Sequence, residues 1–428
     1  MKTVTENELT NFLESLQVEY DVRAPIELHD GTRTLGRLSE GPLAIGGGRI
    51  HFKPTRPFFP QSETLFSSAD DIKTRPAAYP NKPFFVLGMT AQDLDCLEFI
   101  DKFFAADFRD DIYFSKRTGA IIAGISGRCG DSGEFLRIAG GKCDLELIYD
   151  GSRYLVVPYS GKGRELEKRI AGDNSVRSLE QLRKESNSLP DEDLRTLKTA
   201  SRLMRQQRVP DAFWQEIADR CIACSCCNYV CPTCTCFEVH DRRHNSTTER
   251  RRIWDSCQFD GFMREASGHN PMGAEMLRTR RRIHHKLVAD IKRWGHITCF
   301  LCGRCDDACP TGIGMKAVCR DIVARFGPPL PDDMKKECKT RSPSDRKKGI
   351  SAMHSNVIIE VLERASREDE FIVQLTELGS RALKDYNLTW EERAALVSGD
   401  IRWIENHVGK LTEPQKIWLN CRLQQEIW

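Results

Sequence analysis

Two stretches of the chain carry one cysteine spacing. The first is Cys221-x2-Cys224-x2-Cys227-x3-Cys231-Pro232, the second Cys299-x2-Cys302-x2-Cys305-x3-Cys309-Pro310. Each is the C-x2-C-x2-C-x3-C-P run that wraps a [4Fe–4S] cube. Three closely spaced thiolates grip three irons of one cube, and the displaced fourth reaches the cube of the other run. The crossover rule therefore assigns Cys221, Cys224, Cys227 and Cys309 to one cluster. It assigns Cys299, Cys302, Cys305 and Cys231 to the other. The proline ends the loop and directs its exit. A zinc ribbon pairs C-x2-C knuckles and has no use for the third cysteine or the proline.

The elements that must position these runs follow from the flanking sequence. Thr5-x-x-Glu8 is a capping box, and Leu9, Phe12, Leu13 and Leu16 line one face of the helix behind it. Phe84 to Leu87 and Ala120 to Ala123 read as buried strands ending in glycine, with a helix-spaced segment at 95–105 between them. Leu145–Tyr149 and Tyr154–Val157 flank a hairpin turn at Asp150-Gly151. Beyond residue 161 the texture turns charged and helical. Leu179 with Leu182, and Leu194 with Leu197, pair as core contacts on two helices separated by Pro190. Pro210-Asp211 starts the helix that delivers Cys221. No strand-like alternation is visible between Pro232 and Thr298, so both runs are expected in a helical frame.

Phe326 to Pro331 is a stiff break before a basic linker, Lys335 to Lys348, with seven Lys or Arg and two acids. Val357, Ile358, Val361 and Leu362 then share a helical face, Phe371 to Leu378 ends at Gly379, and Thr389-x-x-Glu392 is another capping box. The chain closes on Trp418, Leu419, Leu423 and Trp428. The fold class expected is α+β. A mixed α/β domain over 1–160 docks a partner, an α-helical ferredoxin-type dicluster domain spans 161–330, and a small all-α module with its basic linker spans 331–428.

Composition bounds the function. The 428 residues carry 64 Lys+Arg against 62 Asp+Glu, a net charge of +2, which gives no global pull toward nucleic acid. The apolar runs are strand-sized, so no direct membrane span is expected, and with no apolar signal region after Met1 the expected location is cytoplasmic. Twelve of the eighteen cysteines fall between 221 and 309, which favours metal over disulfides. Oxygen-sensitive clusters suggest an anaerobic host.

The remaining candidates have a bland reading beside the functional one. The segment 241–293 carries thirteen Lys or Arg against seven acids, including Arg280-Arg281-Arg282 and His284-His285-Lys286. It is either a solvated helix face or the positive charge that compensates the clusters. Cys226, Cys234, Cys236 and Cys257 lie outside the spacing and either pack, sit behind a cube or add ligands. Cys96, Cys129, Cys143, Cys319, Cys338 and Cys421 read as structural. Gly46-Gly47-Gly48 and Gly124-x-x-Gly127-x-x-Gly130 lack the dinucleotide context and read as turn glycines. His240 and His244, four apart, would share a helix face, but Asp241 stands where a zinc protease needs glutamate.

The run from Arg220 to Phe237, then Trp254-Asp255-Ser256-Cys257 and Gly268-His269-Asn270-Pro271, resembles the family of iron–sulfur subunits found in anaerobic sulfite reductase and, as the β-subunit, in sulfhydrogenase. Lys53-Pro54, Phe58 to Phe66 and Cys299 to Gly312 extend the resemblance over roughly residues 15 to 325. It implies an electron-transfer subunit that carries electrons between a flavoprotein subunit and a terminal catalytic subunit. It also implies more than packing for Cys234, Cys236 and Cys257. Where the family carries Arg-Pro-Cys-Asp, Gln92 replaces the cysteine, and the stretch Cys129 to Phe135 keeps almost none of a Cys-Phe-Cys segment. An extra N-terminal cluster is therefore not expected. The reading is an iron–sulfur relay with two [4Fe–4S] clusters and no flavin, in a multi-subunit oxidoreductase. Its rivals are a flavin-binding subunit with its own active site on the N-terminal domain and an iron–sulfur sensor.

Overall fold

The structure is a computed structural model. It describes residues 1–47, 49–69, 74–76, 81–130, 133–174, 179–244, 247–327, 351–365, 368, 371, 382–389, 392–393, 395–396 and 401–412. Twelve strands are assigned among them: β1 Lys2–Val4, β2 Asp21–Glu27, β3 Arg33–Gly36, β4 Ser62–Ala69, β5 Thr74–Pro76, β6 Phe84–Met89, β7 Ile121–Gly127, β8 Leu145–Tyr149, β9 Tyr154–Pro158, β10 Asp173–Asn174, β11 Phe237–His244 and β12 Thr247–Trp254. The helices are α1 Glu6–Leu16, α2 Ala91–Ala105, α3 Asp111–Arg117, α4 Gly161–Arg169, α5 Leu179–Asn187, α6 Glu192–Arg205, α7 Asp211–Arg220, α8 Cys226–Tyr229, α9 Glu275–His284, α10 Asp290–Trp294, α11 Arg304–Asp307, α12 Met315–Phe326, α13 Ser351–Ala365 and α14 Ile401–Val408.

The first sheet has eight strands in the order β10-β1-β9-β8-β7-β6-β2-β3. Its centre is parallel, β2 with β6, β6 with β7 and β7 with β8, and its flanks are antiparallel. β6 (Phe84-Phe85-Val86-Leu87-Gly88-Met89) and β7 are buried along their whole length, as a parallel strand covered on both faces requires. Alternation along β6 then splits the core. Phe85 and Leu87 pack with Leu9, Phe12, Leu13 and Leu16 of α1. Phe84 and Val86 point the other way, onto α2, Phe58, Phe59 and Trp254. Both capping boxes at this end form: Thr5 with Glu8 before α1, and Thr90 with Asp93 before α2. The β8–β9 hairpin closes where expected, through a four-residue loop in which Gly151 takes φ +107°. Gly124 and Gly127 lie inside β7 rather than in turns.

A second sheet corrects the expected all-helical frame. β11 and β12 form an antiparallel hairpin between the cysteine runs, and the order is β11-β12-β4-β5. His240 and His244 therefore stand on a strand, not a helix. The hairpin hid its strand pattern because its inward face carries a cation. Arg252 is buried beside Trp254 and donates to Glu63 Oε1 at 2.6 Å, with Asp110 as a second partner. Buried charge needs such pairing.

The helices that carry the runs close on a third core. Leu197, Leu203, Phe213, Trp214, Ile283, Leu287, Val318 and Ile322 meet there from α6, α7, α9, the turn His285–Ala289 and α12. Leu182 and Leu197 are buried as expected, but Leu194 is exposed. The chain divides into two compact units, Met1–Pro328 and Pro329–Trp428. The α/β part and the cysteine-bearing part, set apart at 160/161 on sequence texture, thus lie within one unit. In the second unit Ile358, Val361, Leu362, Phe371, Leu383, Leu396 and Ile404 form the core, and the Thr389–Glu392 capping bonds are present. The basic linker, the segment after Phe371 to Gly379 and the final Trp418–Trp428 stretch lie outside the described residues.

Candidate metal centre

The two runs fold alike. In the first loop Ala223 and Ser225 take φ +53° and +60°; in the second the equivalent Leu301 and Gly303 take +58° and +80°. A left-handed residue with a side chain costs about 1–2 kcal/mol, so its recurrence at matching positions marks a shape that both loops need. Alternating left-handed residues turn successive N–H groups inward, toward negative charge. Each loop then enters a one-turn helix, α8 or α11, and these two helices pack together. The likeness extends past the proline. Cys231 Sγ lies 3.4 Å from Thr233 Oγ1, and Cys309 Sγ lies 3.5 Å from Thr311 Oγ1.

The cysteines are interleaved between the runs. Cys231 lines a pocket with Cys299, Cys302 and Cys305, which Cys227 of the first run also borders. Cys231 also adds its charge to that of all three. Cys309 acts instead on Cys227, with Cys224 and Cys221. Backbone N–H groups reach two of the sulfurs, Ile313 to Cys309 and Met315 to Cys305, each at 3.4 Å. Among the described residues no three or more Cys, His, Asp or Glu are placed to hold one metal ion. Four thiols on one cavity, each a possible thiolate ligand, are the donor set of a [4Fe–4S] cluster.

Cations border the thiols. Arg282 is 5 % exposed and donates to the Ile313 carbonyl at 2.7 Å. Burial opposes its charge, yet the thiols of Cys227, Cys305, Cys309 and Cys221 outweigh that and raise its pKa. Lys286 behaves alike: burial disfavours the ammonium, while Cys231, Cys234 and Cys299 hold its pKa above the ordinary lysine value. Its Nζ donates to Thr233 Oγ1 at 2.7 Å, and Thr233 donates on to the Thr298 carbonyl at 2.9 Å. Lys286 sits in a π-helical turn, His285–Ala289, between α9 and α10. Such turns recur at functional sites. Here the carbonyls of the widened turn find outside donors, Thr298 N–H to Lys286 and Ser201 Oγ to Leu287. The charged segment is thus divided. Arg282 and Lys286 face the cysteines, whereas Arg280 is more exposed and pairs with Asp211.

The α/β part reaches into the same place. Arg304, between Cys302 and Cys305, is 1 % exposed and pairs with the fully buried Asp93 at 2.9 Å. Lys53 donates to the Cys234 carbonyl at 2.6 Å with its ammonium 4.1 Å from the Trp254 ring, and Thr55 reaches the Pro232 carbonyl. Cys96 of α2, read from sequence as structural, lines the pocket beside Cys302. Cys234 and Cys257 are buried next to the first run, Cys236 is half-buried, and Cys226 is exposed. Sequence reading missed Asp93, Arg304 and Cys96, although Arg304 stands inside the second run and Asp93 beside the Gln92 departure.

Residues 220–313 match the family model of the 4Fe-4S dicluster domain. The chain is similar to sulfhydrogenase 2 subunit beta of Pyrococcus furiosus, with 28% identity over 247 residues, 54% of this chain and 71% of that protein. Both findings bear out the sequence resemblance and support iron–sulfur electron transfer. No solved structure matches the chain. Among the described residues no helix is long and apolar enough to cross a membrane.

Proposed function

We propose that the chain is the electron-transfer subunit of a multi-subunit oxidoreductase and holds two [4Fe–4S] clusters by crossed ligation. Cys221, Cys224, Cys227 and Cys309 hold one; Cys299, Cys302, Cys305 and Cys231 hold the other. The placement of Cys231 among the thiols of the second run is the observation that carries this reading. Each cluster, when bound, takes up and returns one electron. The chain's residues set the conditions. The paired loops turn N–H groups toward the sulfurs, Arg282 and Lys286 offset the negative charge, and α8 against α11 keeps the two sites adjacent. The partners proposed are a flavoprotein subunit and a terminal catalytic subunit, met through the α/β part and the Pro329–Trp428 unit, in the cytoplasm of an anaerobe. No flavin is assigned to this chain.

The test is the anaerobically purified chain with dithionite as reductant. Cluster absorbance should bleach on reduction and return on oxidation, with no turnover of sulfite, hydrogen or NAD(P)H by the chain alone. A bound flavin, or turnover by the isolated chain, overturns the reading in favour of a subunit with its own active site.

A further inference from the structure

Three cysteines outside the two runs meet. Cys234, Cys236 and Cys257 line one cavity, where Cys236 interacts with Cys234 and with Cys257. The backbone arranges this. Phe237 pairs with Trp254 at the end of the β11–β12 hairpin, and Asp255 N–H donates to the Cys236 carbonyl at 3.0 Å. The next turn, closed by Phe259 N–H on Ser256 O, returns Cys257 to Cys236. Asn228 Nδ2 donates to Cys257 Sγ at 3.3 Å. On the other side Cys234 N–H donates to the Cys231 carbonyl at 3.2 Å, so the triad begins one turn from the second cluster site.

Packing alone has no need of three thiols in contact, since buried cysteine serves as a small hydrophobe singly. The surroundings are those of reactive sulfur instead, with the buried Lys53 on the Cys234 carbonyl and Lys286 sharing the cavity that all three thiols line. That cavity also reaches His285, which is half exposed and pairs with Asp290. It gives protons a way in.

We propose that Cys236 and Cys257 form a redox-active dithiol, reached through Cys234, that exchanges electron pairs with the two clusters. This rests on the cluster assignment above. In the reducing direction the Cys236–Cys257 S–S bond breaks, and two electrons arrive, one from each reduced [4Fe–4S] cluster. Two protons enter from the His285 side to give two thiols; oxidation runs the same step backward. A cluster whose potential lies below that of the dithiol drives the reducing direction, and one that lies above it drives oxidation. The pair turns two one-electron carriers into a two-electron store.

The experiment uses the full chain with clusters intact, poised anaerobically across a range of potentials. Thiols are trapped by alkylation under denaturing conditions, and peptides are identified by mass. A linked Cys236–Cys257 peptide should form on oxidation, vanish on reduction and follow a two-electron Nernst slope. Cys257→Ser should abolish the link while iron and sulfide stay unchanged, and Cys236→Ser gives the same answer should that variant fold poorly. Absence of the link at every potential in a cluster-loaded chain overturns the proposal. So does iron above about eight per chain that is lost in Cys257→Ser, since the triad would then hold metal. A chain that forms the link yet binds no iron retains the dithiol and overturns the cluster assignment instead.

Discussion

At the scale of single residues, the positive charges that face the sulfurs set how readily the proposed clusters are reduced. Arg282 and Lys286 belong to a charged segment in which Arg280, two residues from Arg282, faces Asp211. Replacing Arg282 or Lys286 with Met should make the nearer cluster harder to reduce. A charge at about 8 Å in an effective dielectric of about 20 contributes roughly 2 kcal/mol, or ~90 mV for one electron. A potentiometric titration followed by EPR reads the shift, and Arg280→Met should leave both potentials in place. Equal shifts from all three variants would return the segment to a solvated face. The cysteine spacing was legible in the sequence because cluster loops are local. The division between Arg280 and Arg282 was not, because it depends on how α9 rotates onto residues far away in the chain.

At the scale of elements, the β11–β12 hairpin shows why period alone missed a strand. Its buried positions are Arg252 and Trp254, and the arginine is held by Glu63 and Asp110 from other elements. A hydropathy pattern cannot see a buried cation whose partners are distant. The Asp93–Arg304 pair poses the same problem and a sharper consequence. Asp93→Asn leaves the Arg304 charge without its partner, and breaking a buried pair costs about 3–5 kcal/mol. We expect a large fall in Tm and, because Arg304 stands between Cys302 and Cys305, loss of iron from the second run before the first. Between α6 and α12, Asp193 bridges Lys316 and Arg320. Burial raises its pKa, but the bonds from Lys316 and Arg320 prevail and hold it below 3.8. A depressed carboxyl stabilises the fold above its unfolded pKa and loses that contribution as pH falls through the folded value. Acid unfolding of Asp193→Asn should therefore flatten below pH 3.8 relative to the wild type.

At the scale of the whole molecule, the α/β and cysteine-bearing parts fold as one. Phe59, Phe237 and Trp254 share a core, Lys53 and Thr55 hold the Cys231–Cys234 turn, and Asp93 anchors α11. The change in texture near residue 161 was legible in sequence, but it marks a change of secondary structure within one unit. Residues 1–328 should therefore fold and retain both clusters, whereas 161–330 alone should aggregate or lose iron, as metal analysis of the two fragments would show. In the proposed arrangement two clusters lie side by side because each run lends its fourth cysteine to the other. The EPR spectrum of the fully reduced chain tests this most directly. It should integrate to about two spins per chain, with the splitting of two coupled [4Fe–4S]⁺ centres. About one spin per chain, or two signals without mutual splitting, would contradict it.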